Sequence, residues 1–173
     1  GCPSLLLDET TKLPLINKYA TPNTLGKDRL AAAVGANQLF PNKNVLVIDS
    51  GTCITYDIIT AENEFLGGII SPGIQMRLQA MHQFTARLPL ATWNPDAPLI
   101  GTDTLSCLQS GAANGVLAEA EGIIGRMIEK YYELEVVICG GTTSFFESKI
   151  NRRIFAAPYL VLQGLNRILI YND

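Results

Sequence analysis

A chain of 173 residues that is 47% hydrophobic can bury one substantial core, shared by at most two small lobes. With 13 basic and 16 acidic side chains, a net charge of −3 and no basic run, it lacks the electrostatic footprint of a nucleic-acid binder. No apolar run reaches the roughly 18 to 20 residues that span a bilayer and no charged-then-apolar leader opens the chain, so the expectation is a soluble, cytoplasmic protein without a membrane partner.

The chain opens without a methionine, at Gly1-Cys2-Pro3-Ser4, and enters the apolar run Leu5 to Leu7 at once, as though cut from something longer. Residues 13 to 19 mix apolar and polar positions in strand fashion until Thr21-Pro22-Asn23 and Gly26 interrupt them. From Lys27 to about Gln38, Leu30, Ala33, Val34 and Asn37 recur at helical spacing in an alanine-rich stretch. The β-branched run Val45 to Asp49, the turn Ser50-Gly51 and a second strand from Thr52 to Thr60 predict a hairpin. Phe65 to Ser71 extends the sheet, Pro72-Gly73 ends it, and a helix follows with Ile74, Leu78 and Met81 on one stripe. Three prolines make 89 to 101 an irregular connection, and Thr102 to Tyr132 reads as mostly helical, its glycines at 111, 115, 122 and 125 suggesting close helix packing. Glu135 to Cys139 is a buried strand ending in Gly140-Gly141, and Thr142 to Ile150 a helix start with hydroxyl caps. A strand at 153 to 157 and a helix at 159 to 171 close the chain, giving an α/β fold with a mixed sheet covered by helices.

Cys2, Cys53, Cys107 and Cys139 are widely spaced with no C-x-x-C pair, and read as reduced thiols, three of them in segments where a small buried side chain fits. His82 is the sole histidine, so neither a zinc site nor a Ser-His-Asp triad has the ligands it needs.

Three segments have the chemistry of a site. Asp49-Ser50-Gly51-Thr52 puts a carboxylate at the end of a buried strand and a hydroxyl just past a glycine, the pattern in which turn N–H groups face a phosphate and the carboxylate holds a cation. An ordinary hairpin turn uses the same residues. Gly26-Lys27-Asp28-Arg29 opens a helix with a candidate base, Asp28, and a guanidinium able to fork a substrate carboxylate, Arg29. Its plain alternative is an acid favourable at a helix N-terminus. Cys139-Gly140-Gly141-Thr142-Thr143 offers bare backbone against which an adenine or ribose could lie, or simply a strand-to-helix turn.

Together, in order, Tyr19, Thr21-Pro22, Gly26-Lys27-Asp28-Arg29, Asp49-Ser50-Gly51-Thr52, Gly67-Gly68-x-Ile70-x-Pro72-Gly73, Thr85-Ala86-x-Leu88-Pro89 and Gly164-Leu165 resemble the type III pantothenate kinases, from Tyr19 nearly to the end. The resemblance implies the actin-like, sugar-kinase-like superfamily, two ribonuclease-H-like halves around a nucleotide cleft, in a homodimer with shared active sites. Residues 1–40 would be the remnant of the first half, with the pantothenate loop and the helix after it, and 41–173 the second half. It also implies ATP-dependent phosphorylation of pantothenate to 4'-phosphopantothenate, the first step of coenzyme A synthesis. Asp28 would be the catalytic base. Tyr19, Gly26, Lys27, Asp28 and Arg29 would bind pantothenate, with Thr85 reaching it across the dimer interface. Thr52 and Gly51 would bind ATP phosphates, Gly140 and Gly141 the nucleotide edge, and Asp49 a potassium or ammonium ion required besides Mg2+. Two departures touch the ATP side: Cys139 stands where the family usually has threonine, and Cys53 where alanine is commoner. The family's opening Asp-x-Gly-Asn-Thr turn does not precede Gly1, so this chain alone is expected to be inactive. The rival readings are a non-catalytic regulator of the same fold that binds a small acid or nucleotide, and a kinase for another acceptor such as a sugar.

Overall fold

The computed structural model describes residues 4–173, which alternate strand and helix in the order predicted. The opening strand is shorter than its pattern: β1 is only Ile16–Asn17, since Pro14 precedes it and the 3-10 turn Pro22–Thr24 soon follows. Helix α1 (Lys27–Leu39) leads into a meander of β2 (Asn44–Ser50), β3 (Cys53–Ile59) and β4 (Glu64–Pro72). Then come α2 (Ile74–Gln83), α3 (Thr104–Lys130), β5 (Leu134–Cys139), α4 (Thr143–Lys149), β6 (Phe155–Ala156) and α5 (Leu160–Asn172).

The strands form one sheet in the order β1-β4-β3-β2-β5-β6. The meander is antiparallel, β5 lies parallel to β2, and β6 parallel to β5, which is the ribonuclease-H-like arrangement. Side chains alternate across it. Leu46, Ile48, Ile54, Tyr56, Ile58 and Ile138 face α2, α3 and α4, where Leu78, Val116, Ala120, Ile124 and Phe146 close over them. Val45, Val47, Ile59, Val137 and Cys139 face α1 and α5, against Leu30, Val34, Leu160 and Ile168. This second layer also takes in Leu15 and Leu25, so residues on both sides of position 40 share one core within this chain.

The glycine reading of α3 is corrected by the packing. An added Cβ at Gly111 or Gly122 would meet nothing within 4 Å, so those positions face outward. The close helix crossing is α1 on α5: a Cβ on Gly164 would lie 1.7 Å from the Ala31 carbonyl oxygen, and one on Gly35 2.6 Å from that of Leu160. Helix α3 is started instead by a capping box, in which Asp103 accepts from the Ser106 N–H and Ser106 Oγ from the Asp103 N–H. Among the described residues no helix is long and apolar enough to cross a membrane. The described cysteines are free, but only Cys139 is fully buried; Cys53 is half-buried and Cys107 exposed, while Cys2 lies outside the described residues.

Candidate functional site

Strands β2 and β5 run parallel and end beside one another, at Ser50 and Cys139, and β4 ends next to the start of β3, at Pro72. Their carboxyl ends therefore deliver three loops to one edge of the sheet, the edge at which open α/β sheets bind ligands. The loops are in contact. Gly73 N–H donates to the Thr52 carbonyl at 3.0 Å, and a Cβ at Gly73 would lie 2.4 Å from the Gly51 carbonyl oxygen. Gly140 has φ +91, and a Cβ there would sit 2.5 Å from Asp49 Oδ1. Both positions require glycine for approach, and Gly140 also for its left-handed backbone. Thr142 is the N-cap position of α4 but caps nothing with its hydroxyl, which instead meets Ser50 Oγ at 2.5 Å and locks the two turns together. Gly51, Thr52 and Gly141 are left exposed on this surface.

The N-terminus of α1 comes to the same edge. Gly26 leaves room for the Asp28 carboxylate, whose Oδ1 would lie 2.4 Å from a Cβ at 26, and Asp28 accepts from the Arg29 N–H at 2.8 Å while staying exposed. Asp28 is close enough to Asp49 to act on it. Burial first, and then the Asp28 charge, push the Asp49 carboxyl above the usual carboxylate range, against a hydrogen bond from the Cys139 thiol. Burial and Asp49 push that thiol up in turn, so Cys139 is a neutral donor. Thr55 pairs with Asp49 in the ladder and keeps a buried Oγ1 without a hydrogen-bond partner. Half-buried Asp49 and Thr55 are thus cross-strand neighbours on the same sheet face, an acid and a hydroxyl of the types that ligate cations.

Arg29 departs from the sequence expectation. Its side chain turns under the loop, buried, where Nε donates to Asp57 Oδ2 at 3.0 Å and Nη2 to Asp57 Oδ1. The fork expected to grip a substrate carboxylate is filled by a carboxylate of the chain itself. Asp57 lies on the α1 face of β3 at 2% exposure, and a guanidinium is the partner that a buried carboxylate needs. Hydrogen bonds to Asp57 hold the guanidinium firmly charged. Its flat face lies 5.5 Å from the centre of the Tyr19 ring and 6.0 Å from that of Phe65. Tyr19 rests on Gly67, at φ +97 in a β-bulge, where a Cβ would come 2.8 Å from the ring.

Lys27 and Thr85 stand apart. Lys27 Nζ pairs with Glu9 at 3.0 Å on the surface. Thr85, exposed, donates to the Met81 carbonyl at 2.7 Å just beyond α2, the helix packed on the opposite sheet face. Within one chain it does not join the Asp28 group. His82 Nδ1 sits 2.7 Å from the Leu88 carbonyl oxygen and fastens that same turn.

A family model described as type III pantothenate kinase matches residues 1–126. A type III pantothenate kinase of Bacteroides fragilis is 50% identical over 171 residues, which cover 99% of this chain and 70% of the relative. The chain belongs to the type III pantothenate kinase family. Another type III pantothenate kinase, from Christiangramia forsetii, is 46% identical over 97% of this chain and 69% of its own length. Among solved structures, a conserved putative Baf family transcriptional activator from Campylobacter jejuni superposes with a TM-score of 0.63. It covers 91% of this chain and 68% of the other at 24% identity, a likeness of fold.

Two residues that matter to this pantothenate kinase family member's site are not evident from its local sequence patterns. Asp57 is the foremost: a single acid inside the apolar run Ile54 to Ile59 signals a buried charge with a partner elsewhere. The position of Thr142 at the start of α4 suggests a cap, yet its hydroxyl faces Ser50 because β2 and β5 are neighbours, which no local pattern reveals.

Proposed function

We propose that the chain carries the acceptor site, the cation site and part of the nucleotide site of an enzyme that phosphorylates pantothenate with ATP in the cytoplasm. One relation supports this most: α1 packs on the sheet face that carries Asp49, its Arg29 pairing with Asp57 on β3. The exposed Asp28 beside Arg29 and the 49–52 turn therefore belong to one side of the sheet, and the Asp28 charge helps to raise the Asp49 carboxyl. A base and a phosphate turn thus share one edge, as transfer from a nucleotide to a hydroxyl demands.

In this reading Asp28 takes the proton of the primary hydroxyl of pantothenate. Gly26 and Tyr19 shape the wall against which the substrate lies. Arg29, paired with Asp57, supports Tyr19 from beneath. The exposed Thr52 hydroxyl and the Gly51 backbone receive phosphate oxygens, and Gly140 and Gly141 give the nucleotide a surface free of side chains. ATP, when bound, supplies the phosphoryl group, and Mg2+ neutralises its charge. Among the described residues no three His, Cys, Asp or Glu side chains converge as a metal centre. By its resemblance to the family, Asp49 would hold a monovalent cation, K+ or NH4+, with hydroxyl, carbonyl or phosphate oxygens completing its shell. Thr85 would act from the partner subunit of a homodimer, a placement supported by the exposed Phe84, Leu90, Leu99 and Ile100 around its segment.

The test is phosphopantothenate formation by the full-length protein with ATP, Mg2+ and K+, together with Asp28→Asn. The wild type turns over, and the variant loses at least about a hundredfold in kcat at an unchanged melting temperature, as removal of a general base does. A wild type that binds pantothenate or ATP but forms no phosphorylated product under any cation is a regulator, and the kinase reading fails.

A further inference from the structure

On the sheet face away from Arg29, a second ionic network ties three elements to the backbone of the 72–73 turn. Arg77, on the first turns of α2, donates from Nε to the Pro72 carbonyl at 2.8 Å and from Nη2 to Ser71 Oγ at 2.9 Å. The same Nη2 meets Glu119 Oε2, on α3. The other Glu119 oxygen accepts from Tyr56 OH at 3.0 Å, and Tyr56 is wholly buried in β3. Burial works against the Glu119 charge, yet hydrogen bonds from Arg77, Ser71 and Tyr56 keep its carboxyl below the usual range. The Tyr56 hydroxyl is driven up by burial and by Glu119, so it stays a donor.

Pro72 is bonded to Arg77 on one side, and Gly73, the next residue, donates to Thr52 on the other. The Gly73 carbonyl in turn accepts from the Arg77 N–H at 3.0 Å. A continuous path of hydrogen bonds thus runs from Tyr56 and Glu119 through Arg77 and the 72–73 backbone to the turn at 51–52. Nothing else holds the Thr52 carbonyl from that side in the hydrogen-bond pattern of the described residues.

We propose that Arg77, held by Glu119 and Tyr56, is a positioning residue that fixes the 51–52 turn in the geometry that receives the phosphates of the nucleotide. The inference rests on the phosphate role given to that turn above. Arg77 touches no reacting atom; it acts through Pro72 and Gly73. A planar cation is needed because one side chain must serve a main-chain carbonyl and a carboxylate at once, which the single ammonium of lysine cannot match in geometry.

The experiment is steady-state kinetics of the full-length protein carrying Arg77→Met, Arg77→Lys or Glu119→Gln, with melting temperatures and MgATP binding by calorimetry. Arg77→Met is expected to raise the KM for ATP and weaken MgATP binding tenfold or more, leaving the KM for pantothenate within twofold. Arg77→Lys should recover part of that loss, and Arg77→Met with Glu119→Gln should lose no more than Arg77→Met alone, since the two act as one unit. If Arg77→Met lowers only the melting temperature, with wild-type ATP parameters in the folded enzyme, the network is merely structural and the proposal is overturned. Equal weakening of ATP and pantothenate overturns it as well. A wild type that binds MgATP but does not phosphorylate pantothenate defeats the kinase reading separately, and the calorimetric comparison still decides the role of Arg77.

Discussion

Replacing Asp57 by alanine tests the most consequential feature of the site's foundations. The Arg29 and Asp57 side chains are 8% and 2% exposed, and each is the other's ionic partner, so Asp57→Ala strands a guanidinium under Tyr19 and Phe65. Removing one member of a buried pair costs about 3–5 kcal/mol, and at about 2–4 °C per kcal/mol for a chain of this size the melting temperature should fall by about 6–20 °C. The double variant Arg29→Met/Asp57→Leu fills the same space with apolar atoms and leaves no charge behind. It should recover most of the loss, since buried pairs are commonly no more stabilising than the hydrophobic groups that replace them. Thermal unfolding by circular dichroism at neutral pH measures both. A single variant within about 1 kcal/mol of the wild type, or a double variant as unstable as the single, would show that Arg29 is solvated rather than locked, contrary to the reasoning.

The other predictions concern the loops and the helix crossing. Asp49 has a carboxyl raised by burial and by Asp28, so its folded state favours the proton: stability is highest in acid and is lost as pH climbs from the ordinary carboxylate value through the raised one. Asp49→Asn should therefore melt higher than the wild type at pH 7 without K+, with the gap closing toward pH 4, and K+ should raise the melting temperature of the wild type only. A gap that widens in acid would contradict this sign. Gly140→Ala places a Cβ against Asp49 Oδ1 and Ser50 O from a φ of +91, and should cost about 1–3 kcal/mol in stability, with weaker ATP binding by calorimetry. Gly164→Ala, with its Cβ 1.7 Å from the Ala31 carbonyl, forces α5 off α1 and should cost about 1–3 kcal/mol or more in denaturant unfolding, whereas Gly122→Ala, facing open space, should be neutral or stabilising.

The order of strands and helices was legible because each element has its own period: alternation and β-branching from 45 to 60, a helical stripe from 74 to 81, and glycine or proline at the joints. The turn after β2 and the acid in the first turn of α1 were legible for the same local reason, since each follows from its own short run of residues, whereas the Gly73, Gly140 and Thr142 that hold the turn come from far along the chain. What the chain's order of residues could not convey was which side each charge would take. Arg29 reads as a free clamp when only residues 26 to 29 are in view, and becomes an internal partner once β3 brings Asp57 beneath α1. Gly111 and Gly122 of α3 look like packing positions and face open space, while Gly35 and Gly164, far apart in the chain, meet where two helices cross. Local chemistry is written in short stretches of residues, but the pairing of a buried charge or a missing Cβ with its complement depends on which strands lie side by side, and only the closed sheet decides that.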